Sequence, residues 1–121
     1  MDQKMMAEAI CEARKALAHK DVPIGAVVVL DGQIIGRGHN TRERDHDPSG
    51  HAEINAMRDA AQTLGRWQLD GATLYVTHEP CPMCAGAMLL ARVQTVVYGA
   101  DEPTFGVCGS QMNLLQFPGF P

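Results

Sequence analysis

Thr73-Leu74-Tyr75-Val76-Thr77-His78-Glu79-Pro80-Cys81-Pro82-Met83-Cys84-Ala85-Gly86-Ala87-Met88-Leu89-Leu90-Ala91, followed by Thr95-Val96-Val97-Tyr98, is the stretch that decides the fold. Residues 73–77 are β-branched and aromatic, as a strand requires. Pro82 suits a first helical position, where no N–H is needed, so a helix is predicted over residues 82–91. Residues 95–98 read as a second strand. A strand, a helix and a strand in this order form a parallel crossover, which is right-handed in nearly all proteins.

Working outward, Ala26-Val27-Val28-Val29-Leu30 is a short continuous apolar run, expected as a strand covered on both faces. Asp31-Gly32 follows it, a two-residue hairpin signal, with the returning strand over residues 33–38. Before the hairpin, residues 3–20 carry Met6, Ile10, Ala13 and Leu17 at helical spacing, with Glu8, Glu12, Arg14 and Lys15 expected on the surface. After it, residues 39–50 form a polar loop whose Asp47-Pro48-Ser49 reads as the entry to a helix over residues 51–64. Ile54, Met57, Ala61 and Leu64 would be the buried stripe of that helix, and Gly65 its stop. Asp70-Gly71 is a further turn. From Gly99 onward there are four Gly and three Pro in 23 residues, so loop is expected, with one short helical turn near residues 112–115. The fold class is α/β: a three-layer α/β/α sandwich around a mixed central sheet, in a single domain over residues 1–121.

Composition narrows the function classes. A hydrophobic share of 45% with 20% charged residues describes a folded globular chain, not a disordered one. No apolar run approaches the ~18 residues of a membrane span, and the N-terminus lacks the pattern of a secretory signal. The four cysteines are spaced too unevenly for a disulfide scaffold, which points to a cytoplasmic protein with reduced thiols. The net charge of −4 offers no overall basic face, although a local patch can sit on an acidic protein.

Two motifs carry the chemistry: His51-Ala52-Glu53 and Pro80-Cys81-Pro82-Met83-Cys84. Each follows a loop and opens a predicted helix, where the helix N-terminus biases thiols toward thiolate. Taken alone, Cys81-Pro82-Met83-Cys84 also fits a redox pair, or half of a structural zinc site completed by Cys108 or a further histidine. With His51 it makes three ligands for one Zn²⁺, leaving a fourth, open position, the pattern of a catalytic rather than a structural site. Glu53, two residues beyond His51, can stand beside the metal without ligating it. A carboxylate there can take a proton from water and deliver it to a ring nitrogen and a leaving amine, as hydrolytic loss of ammonia from an amidine-like carbon requires.

These motifs match the signature of the zinc-dependent nucleobase deaminases. Val22-Pro23-Ile24-Gly25-Ala26-Val27, Gly38-His39-Asn40, Leu74-Tyr75-Val76-Thr77, Glu79-Pro80-Cys81, Ala85-Gly86-Ala87-Met88 and Val96-Val97-Tyr98-Gly99-Ala100 narrow the match. The chain resembles the tRNA-specific adenosine deaminases of the cytidine/deoxycytidylate deaminase superfamily, from the first helix to about Pro118. The resemblance implies a cytidine deaminase-like fold and one zinc per chain, held by His51, Cys81 and Cys84. It makes Glu53 the proton shuttle and Asn40 the base-contacting amide, although an asparagine there also suits the end of a hairpin. It further implies a homodimer that converts adenosine to inosine at a flipped-out wobble base of a tRNA anticodon.

Three features depart from the family pattern. The chain stops at Pro121, where a C-terminal helix usually follows. Ala100-Asp101-Glu102-Pro103-Thr104-Phe105-Gly106 is less basic than its usual counterpart in bacterial members, and Phe105-Gly106-Val107-Cys108-Gly109-Ser110 instead resembles the catalytic subunit of the eukaryotic tRNA enzyme. Gly50 precedes His51 where alanine is common.

Arg42 and Arg44, with Arg37 nearby, are candidate phosphate contacts, or else members of an ordinary solvated loop. Cys11 and Cys108 read as buried or loop thiols, and His78 as a pocket-lining or packing residue. A deaminase acting on a free base, a nucleoside or single-stranded DNA is the alternative reading. A non-catalytic zinc subunit would have no use for Glu53.

Overall fold

The computed structural model describes residues 2–101 together with Gly106 and Cys108. Four strands form one sheet in the order β2-β1-β3-β4. They are β1 (Gly25–Leu30), β2 (Gln33–His39), β3 (Thr73–His78) and β4 (Thr95–Ala100). The helices are α1 (Asp2–Leu17), α2 (Arg42–Asp45), α3 (Ala52–Leu64) and α4 (Pro82–Leu90). β1 pairs antiparallel with β2 and with β3, and β3 pairs parallel with β4, so the sheet is mixed as expected. The helical turn expected near residues 112–115 lies outside the described residues.

The hairpin turn follows from its chemistry. Asp31 and Gly32 both have positive φ, 52° and 78°, which turns the chain with the twist of the flanking strands. β1 lies inside the sheet and is buried on both faces. Val27 and Val29 meet Met5 and Tyr75 on one face, under α1. Ala26 and Val28 join Leu74, Val76, Ala56 and Met88 on the other, under α3 and α4. These are the three layers.

The buried faces of the helices agree only in part with apolar spacing: Ala13 and Met57 are buried as expected, and the other expected positions are not. On α1 the buried side chains are Met5, Ala9, Glu12, Ala13 and Ala16, while Ile10 and Leu17 are 42% and 58% exposed. On α3 they are Ala52, Glu53, Ala56, Met57 and Ala60, while Ile54, Ala61 and Leu64 are only partly covered. The cause is close approach. A Cβ at Gly25 would lie 2.1 Å from the Ala9 carbonyl oxygen, and one at Gly38 2.4 Å from the Ala56 nitrogen. Glycine on the strand and alanine on the helix let the backbones touch, so small side chains face the sheet and larger ones spread to the flanks.

The loop of residues 39–50 also departs from expectation, because it contains α2. Buried Asp21 holds it, its carboxylate accepting the backbone N–H groups of Glu43 and Arg44 at 2.6 and 3.1 Å. Among the described residues no helix is long and apolar enough to cross a membrane.

Candidate active site

α3 and α4 start side by side at one end of the sheet, and each brings its first turn to the same point. His51 and Cys81 are the N-cap residues of α3 and α4, both with extended backbone. An N-cap side chain ordinarily accepts a hydrogen bond from the helix N–H groups. Neither does so here, which leaves both side chains available to a cation. Cys84 follows in the first turn of α4 and is fully buried.

His51 Nδ1 lies 3.5 Å from Cys81 Sγ and 3.5 Å from Cys84 Sγ. The three donor atoms all lie within 4.8 Å of one another. Zinc bonds of about 2.3 Å to sulfur and 2.0–2.1 Å to nitrogen, at a tetrahedral angle, require N···S separations of about 3.5 Å. The donor set and its spacing therefore fit Zn²⁺ with one position left open. The electrostatics agree. The hydrogen bond from Cys84 draws the Cys81 thiol down to about 4, with further help from His51. The same hydrogen bond and burial push the Cys84 thiol up, so without a cation the pair retains one proton. A divalent ion would replace that proton. The bond to Cys81 likewise raises His51.

Glu53 is 4% exposed on the first turn of α3. Burial pushes its carboxyl up to about 6, which suits a group that must both take and give a proton near neutral pH. It lines a pocket of about 100 Å³ together with His51, Cys81, Asn40, Arg42, Val22 and Ile24. Val22 and Ile24 supply apolar surface of the kind that covers the faces of a flat ring.

The residues singled out from sequence do not all converge. His51, Glu53, Cys81, Cys84, Asn40 and Arg42 meet at this site. Arg44 does not line the pocket. Its guanidinium bonds the Asp45 carboxylate at 2.9 and 3.2 Å. Arg37 is also committed, to Glu8 at 2.6 Å and Glu12 at 3.4 Å.

Sequence reasoning assigned no role to Glu79. It is 2% exposed and lines the pocket, and its carboxylate accepts the Cys108 N–H at 2.9 Å. The Tyr98 hydroxyl donates to the Cys108 carbonyl at 3.2 Å, so two side chains clamp the chain at Cys108 beside the site. The only sequence signal was its place one step before Pro80-Cys81.

Residues 1–118 match the MafB19-like deaminase family model. The tRNA-specific adenosine deaminase of Bacillus subtilis (strain 168) is 55% identical over 115 residues, covering 95% of this chain and 71% of that protein. A solved structure from work on A-to-I editing by tRNA:A34 deaminases at the wobble position of transfer RNA superposes with a TM-score of 0.94. It is 43% identical, over 98% of this chain and 92% of the other. Guanine deaminase from Bacillus subtilis superposes with a TM-score of 0.79 at 42% identity, over 82% and 64%. The chain thus belongs to the MafB19-like deaminase family and groups there with the tRNA-specific adenosine deaminases.

Proposed function

We propose that the chain is a hydrolytic deaminase that converts adenosine to inosine at the wobble position of a tRNA anticodon, using one zinc ion per chain. The observation that carries this reading is the buried carboxylate of Glu53 beside three convergent metal ligands, in a chain so similar to tRNA-specific adenosine deaminases. His51, Cys81 and Cys84 would hold the metal. Zinc, when bound, acidifies water and so supplies the attacking hydroxyl near neutral pH. Glu53 takes the proton released from that water and passes it to the ring nitrogen beside the carbon under attack. It then delivers the second proton to the departing amino group, so that ammonia leaves and the purine becomes a lactam. Asn40 offers an amide to a purine edge, and Arg42, at the same pocket, is placed to meet a neighbouring phosphate. Arg44, held by Asp45, is the weaker phosphate candidate.

The proposal treats residues 1–121 as one deaminase domain that works as a homodimer. α4 contains no charged residue, and Met83, Gly86 and Leu90 follow one another at helical spacing on its outer side. Leu90 is 67% exposed, and among the described residues a Cβ at Gly86 would meet nothing within 4 Å, so this side could receive a second copy. A reducing compartment such as the cytoplasm fits a site built from two free thiols.

The direct test is inosine formation in an adenosine-containing anticodon stem-loop by the zinc-loaded protein, with Glu53→Gln as control. Inosine that disappears in the control is expected. A specific observation favours a second reading, deamination of a free purine base: the likeness to guanine deaminase at 42% identity. Ammonia release from guanine, with no inosine in the stem-loop, would establish that reading instead. A single-stranded DNA substrate would show as deoxyinosine in the deoxy stem-loop with no inosine in the RNA.

A further inference from the structure

The loop between β2 and α3 carries Asn40 into the pocket and ends on His51. Its backbone is tied at both ends. The Asn40 N–H donates to the Ile24 carbonyl at 3.1 Å, and the Thr41 N–H to the Gly50 carbonyl at 2.8 Å. A third tie comes from a side chain that the chemistry does not use. The Asn55 amide nitrogen donates to the His39 carbonyl and to Thr41 Oγ1, each at 2.9 Å. Both hydrogens of that NH₂ group are thereby engaged, on the residues immediately before and after Asn40. Asn55 stands on α3 one turn beyond His51, and its own N–H bonds the His51 carbonyl at 3.0 Å. One residue therefore fixes the distance between the metal-ligand end of α3 and the segment that presents Asn40.

The orientation of Asn40 is set as well. Asn40 is 5% exposed, and its Oδ1 accepts the Arg42 N–H at 3.1 Å. The two groups of a planar amide diverge, so an oxygen turned to the Arg42 N–H directs the NH₂, a hydrogen-bond donor, away from the loop backbone. We propose that Asn55 is a positioning residue: its two bonds bracket Asn40 so that the Asn40 NH₂ meets a hydrogen-bond acceptor on the substrate nucleoside. The proposal rests on the deaminase reading above. It adds a specificity that runs through α3, because a substrate lacking an acceptor at that place would leave a buried donor unmatched.

The test is a double-mutant cycle on the zinc-loaded protein, using Asn55→Ala and Asn40→Ala, with inosine formation in the anticodon stem-loop as readout. Alanine is a good helix former, so α3 should persist in Asn55→Ala. The expected result is a fall in kcat/KM of about tenfold, carried mainly by KM, with zinc content unchanged. In the Asn40→Ala background the same change should cost less than about twofold, because there is no longer an amide to position. Amide hydrogen exchange gives an independent readout: residues 39–50 should exchange faster in Asn55→Ala, with residues 54–64 unchanged. Unaltered kcat/KM, a loss that persists in the Asn40→Ala background, or unaltered exchange over 39–50 would overturn the proposal. A wild-type chain that makes no inosine would overturn the functional reading and the substrate arm with it, while the exchange result would still decide the bracket.

Discussion

Helices α3 and α4 perform the same task in different ways. Each begins with a candidate metal ligand at its N-cap and brings its first turn to the same group of donor atoms. α3 has 13 residues, and its Ala52, Ala56 and Ala60 are buried against a strand that carries Gly36 and Gly38 where their backbones meet. α4 has nine residues, no charge and an outer side that no other described residue covers at Gly86 and Leu90. α3 is thus located by the chain itself, down to its backbone. α4 has its inner side in the core through Cys84, Ala85 and Met88, and among the described residues its outer side is exposed. In the proposed mechanism the step that demands sub-ångström placement, proton transfer by Glu53, lies on α3, while two of the three donors, whose positions a bound metal would help to fix, belong to α4.

The largest effect should follow from removing the proton shuttle. Glu53→Gln keeps the shape and deletes the base, so kcat should fall by at least about 10³-fold while zinc content stays at that of the wild type. Loss of zinc together with activity would mean that Glu53 helps to hold the metal, and the division of labour between the two helices would break. Metal analysis alongside single-turnover kinetics decides the matter.

Next in size is the contact that seats α3. In Gly38→Ala the new methyl would lie 2.4 Å from the Ala56 nitrogen and 2.6 Å from the Ala52 carbonyl oxygen. Backbone cannot yield as a flexible side chain does, so a destabilisation of about 3 kcal/mol is expected, read as a lower urea midpoint. Since Ala52 lies between His51 and Glu53, zinc affinity and activity should fall with it. A neutral substitution would mean that α3 can lift from the sheet without cost.

This contact also marks where the sequence stopped being legible. The convergence of the donor cluster with Glu53 and the hairpin could be read because their information is local: His51-Ala52-Glu53, Cys81-Pro82-Met83-Cys84 and Asp31-Gly32 each act over two to four residues. The continuous run of residues 26–30 likewise states its own burial. The buried faces of α1 and α3 could be read only in part from hydrophobicity. What selects Ala9 over Ile10, and Ala56 over Ala61, is a glycine on a strand far away in sequence, and spacing along one helix holds no record of it. The same applies to α2, held by the carboxylate of Asp21 some 22 residues earlier, and to Glu79, whose partner is the N–H of Cys108.

A smaller effect separates the two halves by pH. The α1–β2 edge is laced with charge, whereas α4 has none. Burial alone would raise the Glu12 carboxyl, but hydrogen bonds from Lys15, His39 and Arg37 outweigh it and hold it below its ordinary value of 4.5. Burial would likewise raise Asp21, yet the N–H groups of Glu43 and Arg44 and the His19 ring hold it below 3.8. A carboxyl lowered in the folded state contributes stability that is fully present above its unfolded pKa and is lost as pH falls through the folded one. Stability should therefore hold from neutrality to about pH 5 and decline below about pH 4. Glu12→Gln should flatten that decline, as measured by urea midpoints across the range. An acid loss unchanged by Glu12→Gln would place its origin elsewhere, in the metal ligands above all.

The smallest change in folding stability, and the sharpest test of the comparison, is Gly86→Ala. Gly86 sits inside α4, where glycine costs a helix up to about 1 kcal/mol relative to alanine, and among the described residues its missing side chain would meet nothing within 4 Å. Judged on one chain alone, the substitution should be neutral or slightly stabilising. A glycine that no contact among the described residues requires, on the exposed side of an uncharged helix, is a natural place for a second copy to pack. If a second copy packs against Met83, Gly86 and Leu90, the added methyl stands in that contact and the dimer should dissociate more readily while the fold gains stability. Sedimentation equilibrium and urea unfolding of the same sample separate the two effects. Opposite signs would show that α4 is completed by its partner as α3 is by β2. A variant that gains stability and keeps its dimer intact would move the interface to another face and leave α4 as open in the assembly as it is in the chain.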